Sequence, residues 1–412
     1  MTDNQRDGAT SGFKAVVGCS ASLFWSGAFI FGFPGVMAPH WKDQFNASQG
    51  ALGSILFFVL AAVGIFMFFV GKWQERVGIR QTITVGAVIT ALNVLFLSFA
   101  SNLYMIYAFA FIAGASSCLI YTPSLTCVQR WYPEKRGLVS GAVNVTFCLS
   151  AALMSPVFVL LIDTIGYSSM ICLVGAVALV SGILSSRLTG TPPVNQTSLT
   201  SSGSSCPSAN LIHFDKPLGL MEIISTRSFR LLWLSWALQG AAGISMVPLS
   251  TSYGISKSYS IESAVVILMA FNFASGVMRL LSGVVSDHLG RNVTMSICFL
   301  MSSLAYVGLA HSDSLLWMSV CAAFIGFAFG TLFTVSAPLV TDCFGIQNFG
   351  SVFGIVFTAY GFFSGPLGPA LSGFVLDMTQ DYRLVFYYLS LFSFVASLLI
   401  LFVKPVTGRK RK

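Results

Sequence analysis

Charged side chains are scarce in this sequence. Asp, Glu, Lys and Arg make up 9% of its 412 residues, whereas an ordinary soluble domain has roughly 25%. Hydrophobic residues make up 55% of the chain. A soluble protein of this size could not stay in solution with so few charges. The composition therefore excludes that class and predicts an integral protein that crosses the lipid bilayer several times.

Residue groupings that carry catalysis or bind metal ions are also missing. The four histidines and nine cysteines have no metal-ligand spacing, and no nucleophile, base and orienting residue occur together. We therefore expect no metal, no cofactor and no enzymatic activity. The cysteines fall mostly inside apolar runs, which predicts buried thiols. The net charge of +8 does not predict nucleic-acid binding, because the basic residues do not cluster in one soluble domain.

Twelve apolar runs of 18 or more residues predict transmembrane helices. They lie at 14–38, 50–70, 81–99, 104–128, 137–162, 168–188, 228–253, 262–286, 292–310, 314–341, 349–376 and 383–404. The runs form two sets of six. This divides the chain into a leader (1–13), an N-terminal half (14–188), a linker (189–227), a C-terminal half (228–404) and a basic tail (405–412). The linker is rich in Ser, Thr, Pro and Gly, which predicts a flexible connection.

The basic residues predict the orientation in the membrane. If both termini are cytoplasmic, that side carries 18 of the 22 Lys and Arg residues, as the positive-inside rule expects. The opposite side then carries only Lys42, Lys257 and Arg383, and Arg279 lies inside the eighth run. No cleavable signal peptide or targeting leader is evident. We therefore expect a prokaryotic inner (cell) membrane, with a plasma membrane as the alternative.

A repeat relates the two halves. Segment 71–80 reads GKWQERVGIR and segment 283–291 reads GVVSDHLGR. Gly71, Glu75 and Gly78 thus recur 212 residues later as Gly283, Asp287 and Gly290. Each copy follows the second apolar run of its half. Such internal symmetry is typical of a transporter built from two similar halves, with the substrate site near the membrane midplane between them.

The pattern Gly-x-x-x-Asp/Glu-x-x-Gly-x-Arg in these segments resembles the signature loop of the major facilitator superfamily. The second copy is looser, since His288 stands where the first has Arg76, and Arg291 follows Gly290 directly. The resemblance covers the whole chain. It implies an all-α membrane protein with 12 transmembrane helices in two pseudo-symmetric six-helix bundles, the major facilitator fold.

These loops are expected to take part in gating. Gly71 and Gly283 would let neighbouring helices approach closely, and Gly78 and Gly290 would allow a tight turn. The acidic residues would pair with bases or helix ends across the interface between the halves. These ion pairs would latch the cytoplasmic side when the carrier opens outward. The predicted gating residues are Gly71, Glu75, Arg76, Gly78, Arg80, Gly283, Asp287, Gly290 and Arg291, with Arg130 and Asp342 as further partners in the latch. The alternative is that these charges only set the topology.

Arg279 lies well within an apolar run, where a guanidinium costs roughly 2.5 to 3.5 kcal/mol or more. No Asp, Glu or Lys lies at mid-depth in any of the twelve runs, so no carboxylate of the sequence is an evident partner. An anionic substrate is the simplest compensation, because the guanidinium fork matches a carboxylate. The alternative is a structural Arg bonded to backbone carbonyls.

A narrower resemblance concerns the segments WYPEKRGLVSGAVN (131–144) and FGFPGV (31–36) together with Arg279. These are similar to monocarboxylate and oxalate/formate transporters, in which the arginine of helix 8 binds the substrate carboxylate. Animal monocarboxylate carriers have an Asp and a Lys where this sequence has Ser275 and Gly35. Oxalate carriers have a second positive residue on helix 11, which is absent between Tyr360 and Pro369. One cavity charge favours a substrate with one carboxylate.

Polar residues at helical spacing are further candidates for substrate contact. Asn272 and Ser275 precede Arg279 by seven and four residues, and Asn144 lies deep in the fifth run. Two further pairs are spaced i, i+4, namely Tyr360 with Ser364 and Ser117 with Tyr121. The equal alternative for each is a bond to a neighbouring helix. Phe24, Phe31 and Tyr360 are candidates for an apolar wall around a short alkyl chain.

The sequence therefore predicts a secondary active transporter that moves a small monocarboxylate such as lactate, pyruvate or acetate by alternating access, as a monomer. The resemblance favours proton symport, although Arg keeps its proton. The proton would travel with substrate or water, or a peripheral acid such as Glu262 or Asp377 would take part. One alternative is an anion exchanger of the oxalate/formate type. Another, from a different class, is a membrane sensor of carboxylates.

Overall fold

The computed structural model describes residues 3–132, 136–190, 220–344 and 349–405. The described part contains twelve helices that are long and apolar enough to cross a membrane, and no β-strand. We label these spans α1 to α12: Ser11–Phe45, Gln49–Gly71, Ile79–Phe99, Leu103–Trp131, Val139–Ile165, Tyr167–Leu188, Arg227–Ser256, Ile261–Leu289, Arg291–Ala310, Leu315–Phe344, Val352–Thr379 and Tyr382–Leu401. The all-α fold and the number of spans predicted from the apolar runs are confirmed.

Helices extend beyond several predicted runs. The helix that contains α1 begins at Asp3, inside the predicted leader, and α2 continues as a helix to Val77. A six-residue helix, Leu220–Ser225, occupies part of the predicted linker. Apolar composition reports the membrane span, whereas a helix can continue into water with polar side chains. Linker residues 191–219 and tail residues 406–412 lie outside the described residues.

The N-terminal half (α1–α6) and the C-terminal half (α7–α12) meet chiefly along α1 with α7, α2 with α11, and α5 with α8. We call the side at which α1 begins and α12 ends the terminal side, and the opposite one the far side. The backbone N–H groups of Gln49 and Gly50 donate to the two carboxylate oxygens of Asp377, each at 2.7 Å. Asp377 lies on α11 and therefore caps the first turn of α2 from the other half. The halves are thus joined on the far side.

The closest approach at this contact depends on Gly53 of α2. A Cβ atom added there would lie 2.0 Å from the carbonyl oxygen of Pro369 on α11, much less than a van der Waals contact. The two backbones therefore touch without an intervening side chain, as small residues allow between membrane helices.

Two spans contain π-helical turns that the sequence did not predict. They occupy Ala28–Gly32 in α1, and Ala359–Ser364 and Pro366–Ala370 in α11. Such turns widen the helix locally and are frequent at functional sites. Phe31 lies in the first of them and Tyr360 in the second, and both residues line the central cavity described below.

Most thiols of the described residues are buried, as the apolar context of the cysteines predicts. The exception is Cys172 on α6, which is exposed. Cys206 lies outside the described residues. No disulfide joins the described cysteines.

Candidate functional site

A cavity of about 60 Å³ lies between the halves, beside Arg279. Helices α1, α2, α4 and α5 line it from one half, and α8, α10 and α11 from the other. The lining residues are Ile30, Phe31, Val59, Leu60, Val63, Met67, Ser117, Cys118, Tyr121, Phe147, Arg279, Phe333, Phe357 and Tyr360. Apolar and aromatic side chains predominate, and the guanidinium is the one charge among these residues.

Arg279 is 2% exposed, yet its hydrogen-bonding capacity is largely unused. Its Nη1 donates to Asn144 Oδ1 at 3.3 Å, and the guanidinium carbon lies 4.7 Å from the centre of the Phe333 ring. Its Nε has no hydrogen-bond partner among the described residues. None of the described ion pairs includes Arg279. A buried cation in this state is costly unless an anion completes it.

Asn144 on α5 holds two cavity residues in place. Its Oδ1 accepts hydrogen bonds from Tyr121 Oη at 2.8 Å and from Arg279 Nη1. The Tyr121 ring in turn packs edge-on against Phe147. Asn144 is not itself a lining residue. From outside the cavity lining, it therefore orients the guanidinium of α8 and the phenol of α4.

Tyr360 supplies a second polar group that is not used within the protein. The residue lies in a π-helical turn of α11, and its ring packs edge-on against Phe333 at 5.3 Å between centroids. Its hydroxyl is buried and has no partner among the described residues. A cavity ligand could therefore bond to the Arg279 guanidinium and to the Tyr360 hydroxyl.

The structure brings together five of the residues singled out in the sequence: Arg279, Phe31, Ser117, Tyr121 and Tyr360. Ser117 is already engaged, because its hydroxyl donates to the carbonyl oxygen of Gly114 at 2.8 Å. Phe24 does not line the cavity, and its ring packs edge-on against Trp25 instead.

Three candidates besides Asn144 lie outside the cavity lining, and their contact with substrate stays a prediction. Asn272 Nδ2 donates to the carbonyl oxygens of Phe31 and Leu268, and Ser275 Oγ lies 3.6 Å from Cys148 Sγ. Both residues precede Arg279 by whole turns, which moves them roughly 6 to 10 Å towards the far side. At that depth α8 packs directly against α1 and α5.

Ser364 is the third. Its hydroxyl donates to the carbonyl oxygen of Ala237 at 3.1 Å, and so fastens α11 to α7 within the C-terminal half. The i, i+4 spacing from Tyr360 suggested a shared face. The intervening π-helical turn changes the register, since its hydrogen bonds run i to i+5.

Sequence reasoning missed most of the apolar lining. Phe147 carried a signal, because it stands three residues after Asn144 on the same face of α5. Phe333 and Phe357 carried none, since each is one Phe among 37. Met67 and Cys118 were equally unmarked.

The signature loops contain the expected turns but not the expected close contacts. Gly78 and Gly290 have φ angles of +97° and +88°, in the region that only glycine adopts at little cost. At Gly71, no described atom would lie within 4 Å of an added Cβ, and at Gly283 only Thr334 Cγ2 would, at 3.7 Å. The expectation that these two glycines permit close helix approach is therefore wrong in this conformation.

The ion pairs of the second loop lie within one half. Arg291 Nε lies 2.5 Å from Asp342 Oδ2, and Arg291 Nη1 lies 3.1 Å from Asp287 Oδ1. The turn at Gly290 brings the first residue of α9 against the ends of α8 and α10. Ion pairs of Asp287 and Asp342 with basic groups of the other half are expected when the terminal side closes, and they stay a prediction. Arg76, Arg80 and Arg130 are exposed on the terminal side, and the Glu75 side chain lies outside the described part.

Comparisons with known proteins agree with this architecture. The sequence model of the Major Facilitator Superfamily matches residues 19–271 and 232–412. The chain is 23% identical over 349 residues to the oxalate:formate antiporter of Oxalobacter formigenes, across 83% of this chain and 79% of that one. It is 23% identical over 458 residues to monocarboxylate transporter 14 of Homo sapiens, across 90% and 86% of the two chains.

The fold has a counterpart among solved structures. A bacterial homolog of the human lysosomal transporter Spinster, in an inward-facing and occupied conformation, superimposes with a TM-score of 0.75. The match covers 98% of this chain and 97% of that one at 12% identity, so the likeness concerns the fold alone. Two six-helix halves, a cavity between them and a family match along both halves lead to one conclusion: the chain belongs to the major facilitator superfamily, a family of multi-pass membrane transporters.

Proposed function

We propose that this protein is a secondary active transporter of small monocarboxylates, such as lactate, pyruvate or acetate, which works by alternating access. The observation that carries the proposal is the state of Arg279. Its guanidinium is buried between the halves, bonded to one neutral amide and without a carboxylate partner among the described residues. A substrate carboxylate would supply the missing negative charge.

The size and lining of the cavity support a small substrate with one carboxylate. A volume of about 60 Å³ leaves room beside the guanidinium for a small ligand only. Beyond the guanidinium the walls are aromatic and aliphatic, which suits a short alkyl group. The Tyr360 hydroxyl provides one hydrogen bond, which suits the hydroxyl or keto oxygen of lactate or pyruvate.

The names of two relatives favour the same class of substrate. One is an oxalate:formate antiporter and the other a monocarboxylate transporter. We propose that both termini face the cytoplasm, because 18 of the 22 basic residues would then lie on that side. We place the protein, as a monomer, in a prokaryotic inner membrane.

Alternating access requires the halves to separate on one side while they close on the other. The far side is the closed one here, through Asp377 and the first turn of α2. We propose that substrate bound to Arg279 lets the halves rock about the contact between α5 and α8, and that the loops after α2 and α8 close the terminal side in the opposite state.

Proton symport is the coupling that we propose first, and anion exchange is its rival. Exchange is favoured by one observation: among the described residues that line the cavity there is no Asp, Glu or His, and Arg does not release its proton. In symport the proton would enter with the substrate, or pass through a peripheral acid such as Asp377 or Glu262.

The decisive experiment measures uptake of labelled lactate into proteoliposomes with and without an inward proton gradient. We expect gradient-driven uptake by the intact protein and none by Arg279→Ala. Arg279→Lys keeps the charge but loses the fork, and we expect a raised KM. Arg230→Ala, at an exposed arginine of α7, is the matched control and should transport normally.

Each other outcome has a distinct meaning. Lactate uptake that ignores the proton gradient but rises with internal lactate would replace symport by exchange. Uptake that Arg279→Ala leaves unchanged would refute the role of the arginine. A protein that is folded and transports no short monocarboxylate under either condition would refute the substrate class.

A further inference from the structure

A second cavity opens on the far side, directly above the contact between the halves. Its volume is about 380 Å³, within the range of roughly 300 to 1,000 Å³ typical of small-molecule pockets. Helices α1 and α2 line it from one half, and α7, α9, α11 and α12 from the other. We call it the outer vestibule and define it by Lys42, Gln49, Ser256, Lys257, Gln380 and Arg383.

Charges of the far side are unevenly distributed around this vestibule. The far side has three basic residues, Lys42, Lys257 and Arg383, and all three line the cavity. It has six acidic residues, at 43, 163, 262, 313, 377 and 381, of which only Asp381 lines it. The far side is therefore acidic as a whole, whereas the lining of the vestibule is basic.

The neighbouring carboxylates are already engaged. Asp313 Oδ1 accepts from Lys257 Nζ at 2.5 Å, and this bond and charge hold the pKa of Asp313 below its usual range. Asp377 accepts the two N–H groups of α2, and Asp381 accepts the backbone N–H of Arg383 at 2.8 Å.

Lys42 and Arg383 make no ion pair with any described residue. A concave site in which two of three cations lack a carboxylate partner can focus a positive potential and raise the local concentration of anions. Two long, exposed side chains around a cavity of this size can close on a small anion without displacing the backbone.

We propose that the outer vestibule is a second anion-binding site, which takes a small carboxylate or another singly charged oxyanion from the far-side solution. Gln49 links it to the gate, because this residue lines the vestibule and donates its backbone N–H to Asp377. An anion in the vestibule therefore lies next to the α2–α11 contact, which must open to admit it. The anion site itself does not depend on the proposed function. Only the statement that its anion is the transported carboxylate rests on that function.

The positive electrostatic potential of the vestibule is tested with cysteine reporters at two positions. Ser256→Cys places a thiol at an exposed position in the vestibule, and Ser101→Cys places one at an exposed far-side position outside it. An anionic and a cationic methanethiosulfonate, the sulfonatoethyl and trimethylammonioethyl reagents, react with each variant in nanodiscs of neutral phosphatidylcholine. Mass spectrometry of the modified peptide gives the rates. We expect a higher anionic-to-cationic ratio at position 256 than at position 101.

Charge variants then locate the source of this potential. In the Ser256→Cys background, Lys42→Gln with Arg383→Gln should lower the ratio roughly fivefold at low ionic strength. Asp313→Asn should raise it, because Lys257 loses its counter-charge. Equal ratios at positions 256 and 101, or a ratio indifferent to these substitutions, would overturn the proposal.

Occupancy is tested with sodium lactate against sodium chloride at equal ionic strength. We expect lactate to slow modification at position 256 at least about twofold, and to lose this effect in the Lys42→Gln, Arg383→Gln variant. Protection that persists in that variant would overturn the site. Nanodiscs that contain phosphatidylglycerol distinguish the source of the anion: protection by this lipid without lactate would assign the vestibule to lipid headgroups and refute a soluble ligand.

The result separates cleanly from that of the transport proposal. Arg279→Ala should leave both vestibule readouts unchanged, since Arg279 lies in the central cavity. If the protein carries lactate, Lys42→Gln with Arg383→Gln should raise the KM for uptake from the far side with little change in kcat, because steering acts on encounter. A positive vestibule without lactate uptake would retain this site and reject the carrier.

Discussion

Arg279 is oriented by an amide rather than by a carboxylate. An acidic neighbour would neutralise the guanidinium within the protein and compete with any anionic ligand. Asn144 instead accepts one hydrogen bond from Arg279 and one from Tyr121, which fixes both side chains and leaves the positive charge uncompensated. The aromatic face of Phe333 stabilises the cation from one side without neutralising it.

This arrangement predicts that two substitutions at position 144 differ strongly in their effect on uptake. Asn144→Asp would place a carboxylate against Arg279, and we expect the KM for lactate to rise at least about tenfold, which is about 1.4 kcal/mol, or uptake to be lost. Asn144→Gln keeps a neutral acceptor and should cost much less. Proteoliposome uptake measures both, with the melting temperature of each variant as a check on folding. An Asp variant with unchanged KM would contradict the role of the uncompensated charge.

For individual residues, the sequence was informative where a residue type is unusual for its surroundings. Arg279 was identifiable because a charge inside an apolar run is costly. Asn272 and Ser364 were not separable from true lining residues, since a polar side chain at helical spacing fits a cavity and a helix contact equally well. Only the depth of each residue along its helix distinguishes the two.

Among the elements, the contact between α2 and α11 closes the far side. It combines a carboxylate that caps a helix N-terminus with a backbone approach that only glycine permits. The favourable interaction of Asp377 with the positive end of α2 exists only while the halves are in contact. Opening must replace both interactions with water.

Gly53→Ala is therefore expected to force this contact apart. Its Cβ would lie 2.0 Å from the carbonyl oxygen of Pro369, and backbone oxygen cannot move aside as a flexible side chain would. We expect the far-side distance between spin labels at Asp43→Cys and Met378→Cys to lengthen by several ångströms, with Cys172 and Cys206 replaced by Ser. Gly71→Ala should leave the label-to-label distance unchanged, because its added Cβ would have no described neighbour within 4 Å. Equal distances in all three proteins would contradict this account of the gate.

Helix order and repeat could be predicted because the apolar runs and the two glycine loops repeat along the chain. The π-helical turns of α1 and α11 could not. They depend on backbone groups that meet in three dimensions, and Ala, Phe and Gly in such a turn look like any other membrane-helix sequence.

For the whole molecule, the structure is closed on the far side and places its two basic cavities on one path between the halves. The outer vestibule lies above the α2–α11 contact and the central cavity lies beneath it. An anion that enters from the far side would meet the cations of the outer vestibule first and the buried, oriented Arg279 afterwards.

Ligand binding should be measurable without transport. A ligand that binds only the folded state stabilises it by about 2.7 kcal/mol at a concentration of 100 Kd. We therefore expect lactate to raise the melting temperature of the intact protein and of Arg230→Ala, and to raise that of Arg279→Ala much less. An equal rise in Arg279→Ala would show that lactate binds elsewhere and would contradict a central site built on this residue.

The sequence by itself determined the class of protein, the twelve spans, the two-fold repeat and the place of Arg279 inside an apolar run. These follow from composition, periodicity and the cost of burying a charge, which are properties of the chain and its solvent. Only the tertiary structure decided which neighbours meet. It brought Asn144 of α5 to Arg279 of α8, directed Asp287 and Asp342 to Arg291 within one half, and gathered Lys42, Lys257 and Arg383 around one vestibule. Such contacts depend on the depth and rotation of each helix against its neighbours, and one sequence does not encode these quantities in any local pattern.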